Sequence, residues 1–260
     1  MNSKISAAFE NGNKAFIAYL MAGDPDVGKT REYILKMAEA GADIIELGVP
    51  FSDPIAEGET IQKANLRAFA SGTSGLDSAF GIARSLKGAL KAPLLFMTYV
   101  NPVFNFGYSR FFAECAACGV SGAILPDLPF EEQGELSGHA QRHGIDIITL
   151  IAPTSSARIE KLSKNAQGFI YLVSSLGVTG VRAEIGAGIP AIVSEIRKHS
   201  ATPVAVGFGI HSPSQAADLA RHADGVIVGS AIVDIIAGHG ADAADPLYSY
   251  VRSMKRAMQG

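Results

Sequence analysis

The chain is poor in three things, and each shortage removes a class of function. It has no surplus of basic residues: Lys and Arg number 22 against 25 Asp and Glu, a formal net charge of −3. Without a basic stripe to neutralise phosphates, nucleic-acid binding is not expected. Long apolar runs are missing as well, none approaching the ~20 residues that a membrane helix needs. The opening stretch, MNSKISAAFENGNK, lacks the apolar segment of a signal peptide, so a cytoplasmic protein is expected. Cysteine is reduced to Cys115 and Cys118. They form a C-x-x-C late in a helical stretch, not at a helix start where the dipole would lower a thiol pKa. Two ligands also fall short of a zinc site, which leaves two reduced structural thiols as the expectation.

What is present suits a large core. Apolar residues make up 48% of the 260 and charged residues 18%, a length typical of one α/β barrel. Apolar, strand-like runs fall at 15–21, 43–47, 93–99, 122–125, 146–151, 168–173, 203–206 and 225–228. Helical patterns lie between them at 27–40, 61–70 with 76–86, 108–118, 131–143, 155–165, 189–199 and 212–222, and a last one closes the chain at 246–258. Eight strand–helix units without a break in composition predict a single (β/α)8 TIM barrel over residues 1–260, with an extra N-terminal helix at 3–11 under its floor. A doubly wound open sheet is the alternative, but no G-x-G-x-x-G follows the first strand.

In such barrels the chemistry gathers where the strands end. The stretch DIIELGVPFSDPIAEGETIQ, residues 43–62, supplies carboxylates there. Glu46 closes a run otherwise written in Ile and Leu, where burying an acid is costly. It could pair with a distant basic residue or point to solvent, although no basic residue stands within nine positions of it. Asp53 and Glu57 follow on a loop punctuated by Pro50, Pro54 and Gly58. Carboxylates at a strand exit suit general acid–base work if burial raises one pKa.

The same rule brings Tyr99, Asp127 and Tyr171 to the mouth, together with the glycines after strands 7 and 8. Gly207-Phe208-Gly209-Ile210 and Gly229-Ser230-Ala231 could be plain turns, but both stand where barrels often hold phosphate, and a short helix beginning near Ser230 would aim its dipole at an anion. A third loop, Gly177-Val178-Thr179-Gly180, could close over the ligand. The lysines all fall in helix or turn segments, which disfavours a Schiff-base aldolase. Of six histidines only His211 comes near a strand end, which disfavours a metal-dependent one. Carboxylates and tyrosines remain, suited to proton transfer or carbon–carbon cleavage on a phosphorylated small molecule without metal or cofactor.

Along its whole length the chain resembles the tryptophan synthase alpha subunit family. The resemblance is carried by Ala22-Gly23-Asp24-Pro25, by Glu46-Leu47-Gly48-Val49-Pro50-Phe51-Ser52-Asp53-Pro54, by Tyr99-Val100-Asn101-Pro102, by Pro126-Asp127-Leu128-Pro129, and by the two loops at 177–180 and 207–210. It implies a lyase of L-tryptophan biosynthesis that cleaves indole-3-glycerol phosphate to indole and glyceraldehyde 3-phosphate, with Glu46 as acid–base catalyst. It also implies Tyr19, Tyr99 and Tyr171 beside the indole, Gly180, Gly209, Gly229 and Ser230 on the phosphate, and Thr179 helping to seat the second carboxylate. The implied partner is a pyridoxal-phosphate-dependent beta subunit in an alpha2beta2 assembly, met through the loops 52–58 and 101–107. Pro102, Val103, Phe104 and Phe106 would then be either interface or a buried loop staple. One departure stands out. The family pattern L-A-D-G-P, whose Asp binds the indole N–H, is here Ile55-Ala56-Glu57-Gly58-Glu59. A misplacement near 1 Å can cost about 10²-fold in rate. A weakly catalytic, ligand-gated subunit that activates a beta partner is therefore the second reading beside the lyase.

Overall fold

A computed structural model describes residues 3–173, 188–207 and 209–260. Its strands are β1 (Ala15–Met21), β2 (Ile44–Gly48), β3 (Leu94–Met97), β4 (Val120–Ile124), β5 (Asp146–Ile147), β6 (Thr149–Ile151), β7 (Ile170–Val173), β8 (Val204–Gly207) and β9 (Gly225–Val228). The helices before and between the first strands are α1 (Lys4–Ala7), α2 (Val27–Ala40), α3 (Glu59–Ala70), α4 (Leu76–Leu86), α5 (Val100–Phe106) and α6 (Tyr108–Cys118). The remainder are α7 (Gly134–His143), α8 (Ile159–Lys164), α9 (Ile189–His199), α10 (Pro213–Ala220), α11 (Ser230–His239) and α12 (Ala244–Gln259).

All pairings are parallel, in the order β5-β4-β3-β2-β1-β9-β8-β7-β6. The two ends of that order are neighbours in the chain. Residues 146–151, expected as one strand, split at Ile148: β5 pairs with β4, and β6 turns to pair with β7. The nine described segments thus make eight staves, and the barrel closes through the fifth. Alternation along each strand divides the core in two. Ile17, Ile44, Leu95, Ile124, Phe169 and Ile227 point inward and meet Ile5 of α1. Their neighbours point outward under the helices. Ile5 is fully buried, so the expected extra helix plugs the floor, although only Lys4–Ala7 is α-helical and Glu10–Gly12 is a 3-10 turn.

The floor is fastened from the far end of the sequence. Lys255 of α12 donates from Nζ to Asp43 Oδ2 at 2.7 Å, Asn13 Oδ1 at 2.8 Å and the Lys14 carbonyl at 2.7 Å. This lysine is buried, but at the end of the barrel opposite the mouth, where it compensates a carboxylate. Cys115 and Cys118 are free and buried one turn apart in α6, as expected, and burial pushes both thiols up.

One expected loop is a helix. Residues 101–107 carry α5, whose first amide, Val100 N–H, donates to both carboxylate oxygens of Asp127 at 3.0 Å. Asp127 thus caps a neighbouring helix from the loop after β4. Pro102 lies in the first turn, where a missing N–H costs nothing. Val103 is buried, and Phe106, partly buried, packs 5.3 Å from Phe80, so both pack against the core. Phe104 is left exposed.

Candidate active site

The register of β1 on β2 sets the site. Tyr19 is paired with Glu46, on strands about 4.8 Å apart. Ile44 faces the barrel interior, so Glu46 and then Gly48 face it too, each one step nearer the mouth. Glu46 is 1% exposed, and among the described residues neither carboxylate oxygen has a hydrogen-bond partner. The distant basic partner that the sequence left open is not found among them. Burial alone pushes the carboxyl pKa up to about 8, which favours its protonated form at neutral pH.

Glu57 arrives from the loop after β2, which folds back over the mouth. The backbone N–H of Phe51 donates to Asn65 Oδ1 at 3.0 Å, and the Asn65 amide returns a bond to the Phe51 carbonyl. The Phe51 ring lies 5.2 Å from that of Tyr99. The Tyr99 hydroxyl accepts from Ala56 N–H at 3.3 Å and is hydrogen-bonded to the Glu57 carboxylate. Burial pushes Glu57 up to about 6, the bond from Tyr99 opposing the rise, and its Oε2 has no partner among the described residues. Asp53, the other carboxylate of this loop, is exposed and accepts a hydrogen bond from the Ser52 hydroxyl. Glu59 begins α3 and pairs with Lys63 at 2.6 Å. An acid suits that first turn as a proline would.

Two glycines that sequence reasoning did not single out as pocket-shaping make room for the tyrosines. A Cβ on Gly48 would overlap the Tyr19 hydroxyl and stand 2.7 Å from its Cζ. A Cβ on Gly207 would stand 2.6 Å from the Tyr171 hydroxyl oxygen. Gly207, expected to belong to the phosphate loop, is instead the last residue of β8 and the seat of that phenol. The available signal was glycine inside an interior-facing strand, which marks a close approach. Tyr19 feels both carboxylates, and burial first, then Glu57 and Glu46, drives its pKa well above the ordinary phenol. Tyr171 is raised by burial and by Glu46.

On the far side of Tyr19 stand the glycine loops. A Cβ on Gly229 would touch the Tyr19 ring at 3.4 Å from Cδ1. Ser230 opens α11 right after Gly229, with its first-turn amides free of intrahelical partners. Gly209 has φ +78°, a conformation that L side chains rarely adopt. Tyr250 of α12 steadies this loop by donating to the His211 carbonyl at 2.9 Å. The structure therefore brings Tyr19, Glu46, Glu57, Tyr99 and Tyr171 to one mouth, with Gly229 against it. Thr179 and Gly180 lie outside the described residues. Among the described residues no group of three or more His, Cys, Asp and Glu is arranged to hold a metal ion. Two buried acids with separated pKa values, beside phenols and backbone amides, can move a proton and bind an anion.

The chain is similar to known proteins along nearly its whole length. A sequence profile described as "Tryptophan synthase alpha chain" matches residues 5–259. The alpha chain of Lacticaseibacillus casei is 46% identical over 256 residues, 98% of this chain and 96% of that one. That of Geobacter sulfurreducens is 46% identical over 238 residues, 90% of each. Among solved structures, Mycobacterium tuberculosis tryptophan synthase superposes with a TM-score of 0.91 at 33% identity, covering 100% of both chains. The alpha subunit from Legionella pneumophila strain Paris gives 0.89 at 33% identity, over 100% of this chain and 99% of that one.

Proposed function

The chain belongs to the tryptophan synthase alpha chain family, and from that premise we propose how its mouth performs the reaction. The activity is the lyase reaction of tryptophan biosynthesis, cleavage of indole-3-glycerol phosphate to indole and glyceraldehyde 3-phosphate. The phosphate is held by backbone amides around Gly209, Gly229 and Ser230, with Gly180 joining from the loop at 177–180. The indole lies among Tyr19, Tyr99 and Tyr171, its N–H turned to the ionised Glu57. Glu46 begins protonated and delivers its proton to the ring carbon that bears the side chain. The positive charge that spreads to the ring nitrogen is met by Glu57, which Thr179 helps to seat.

Glu46, now a carboxylate, takes the proton of the hydroxyl next to the breaking bond. The O–H electrons become the carbonyl of glyceraldehyde 3-phosphate, and the carbon–carbon pair returns to the ring. Indole leaves neutral and Glu46 is protonated again, so no cofactor enters the balance. The observation that carries this reading is the buried Glu46 carboxyl, without a hydrogen-bond partner among the described residues, where burial pushes its pKa up to about 8. Steady-state cleavage by the purified chain tests it, followed by release of indole. Absence of indole from the chain, both alone and with a beta partner, would overturn it.

A beta subunit is the partner, and an alpha2beta2 assembly is the stoichiometry we propose. The exposed Ile55 and Phe104, on the two segments flanking the mouth, support that contact. The second reading, a weakly catalytic ligand-gated subunit, is not favoured by a family match over nearly the whole chain. We take residues 1–260 as one functional barrel and the cytoplasm as its compartment. Two free cysteines suit a reducing environment, and among the described residues no helix is long and apolar enough to cross a membrane.

A further inference from the structure

Tyr19 has a hydroxyl without an assigned use. It is 5% exposed, and its oxygen has no hydrogen-bond partner among the described residues. Glu46, its register partner, likewise has none among the described residues on either carboxylate oxygen. Two buried polar groups on adjacent strands thus face one space without bonding each other. Leaving buried polar groups unmet is costly, and is understandable where a ligand supplies the missing partner.

The location of the hydroxyl narrows what that partner is. The ring leans across β2 into the gap left by Gly48, whose Cβ would fall 2.7 Å from Cζ and 2.9 Å from Cε2. Gly48 is two residues beyond Glu46 on the same face, so the phenol oxygen lies one step nearer the mouth than the Glu46 backbone. The other flank of the ring rests on Gly229, at the phosphate loops. Tyr19 therefore stands between the proton-transfer group and the phosphate cradle. A substrate spanning the two must carry its short polyol linker past this hydroxyl. The linker's reacting hydroxyl is also the one Glu46 must reach.

Resting on the lyase reading above, we infer that Tyr19 is a further catalytic residue: its hydroxyl donates a hydrogen bond to the substrate oxygen that loses its proton to Glu46 and becomes the aldehyde carbonyl. Negative charge grows on that oxygen as the O–H bond breaks ahead of full C=O formation, and a fixed donor in a dry site stabilises it. Tyr19 keeps its own proton throughout. Burial and the two nearby carboxylates hold the phenol well above its ordinary pKa, which suits a donor and excludes a base.

Tyr19→Phe removes the donor and keeps the ring. Its turnover of indole-3-glycerol phosphate should fall by about 10²-fold, the lower end for a lost buried donor, with the Michaelis constant little changed. The loss should be equal in the reverse condensation of indole with glyceraldehyde 3-phosphate. Affinity for 3-(indol-3-yl)propyl phosphate, which lacks the reacting hydroxyl, should be unchanged. Gly48→Ala, which displaces the hydroxyl without deleting it, should reproduce the turnover loss, and thermal midpoints report whether each variant is folded. Unaltered turnover in Tyr19→Phe would overturn the assignment. So would a shifted pH optimum at which full rate returns, because Tyr19 would then act through Glu46. Weakened analogue binding in step with the lost turnover would make the residue structural and also overturn it. A wild-type chain that releases no indole would instead remove the lyase reading on which the inference rests.

Discussion

The hydroxyl of Tyr99 is hydrogen-bonded to the Glu57 carboxylate while it accepts the N–H of Ala56, the residue just before. One phenol thereby fixes both the side chain and the backbone of the loop. Gln62 adds a bond from Nε2 to the Glu57 carbonyl at 2.8 Å. The longer acid, where the family places Asp, has its own set of supports.

Shortening that acid should therefore harm the enzyme. In Glu57→Asp the carboxylate retreats by one methylene from the Tyr99 hydroxyl and from the indole N–H. Turnover should drop by roughly 10-fold or more, in line with the cost of misplacing a catalytic group by about 1 Å. Adding Glu59→Pro should not restore it, because Glu59 already suits the first turn of α3. Combining Glu57→Asp with Tyr99→Phe should cost less than the two losses multiplied, since both remove the same bond. Steady-state kinetics of the four variants decide this, and a gain of turnover in Glu57→Asp would count against the account.

The separated pKa values set the pH profile. Glu57 must be ionised to meet the charge on the ring nitrogen, so activity should rise with pH through about 6. Glu46 must start protonated, so activity should fall through about 8. A bell in kcat/KM with limbs near these values is expected, reporting the free enzyme. Glu57→Gln should flatten the acid limb of whatever activity it retains.

Glu46 should also cost the fold stability, with a defined sign. Its folded pKa, about 8, lies above the 4.5 of an ordinary Glu. The folded chain holds a proton that the unfolded chain has released, so stability declines as pH rises from about 4.5 and levels off above about 8. Glu46→Gln lacks this dependence. Thermal midpoints measured from pH 5 to pH 9 should show the variant gaining on the wild type by a few kcal/mol, or several degrees. Parallel curves would mean that the carboxyl is not shifted.

Much of this was legible in the sequence, and the gaps have physical causes. The strand–helix alternation and the strand-end position of Glu46 follow from periodicity and from Gly–Pro punctuation. The α5 helix did not, because its first amide is satisfied by Asp127, 27 residues away, and the Asn101–Pro102 pair reads locally as a break. The split at Ile148 depends on which neighbour each half pairs with, information that no local pattern holds. Gly207 reads as part of a phosphate turn and Gly48 as one residue of a family motif, and what each makes room for appears when Tyr171 and Tyr19 lean across from adjacent strands. Asp53 and Glu57 look equivalent in the sequence, and only the folded loop exposes one and buries the other.

For the phosphate cradle, added bulk should matter more than a lost side-chain hydroxyl. Gly209→Val forces a branched side chain at φ +78°, and Gly229→Val drives one toward the Tyr19 ring. Each should raise the Michaelis constant for the phosphorylated substrate by about 10-fold or more, as amides leave the anion. Ser230→Ala should raise it by only a few-fold, since the backbone N–H groups remain. Equal effects from all three would mean that side chains hold the phosphate.

The central claim is that Glu46 carries the proton in both directions. Its most direct test is single-turnover release of indole from indole-3-glycerol phosphate by Glu46→Gln, at the pH optimum of the wild type. Folding is checked by the thermal midpoint, and ligand affinity by 3-(indol-3-yl)propyl phosphate. The account predicts intact affinity with release reduced by at least ~10²–10⁴-fold, the contribution of a positioned acid–base group. Release within 10-fold of the wild type, by a variant that binds the analogue normally, would contradict it.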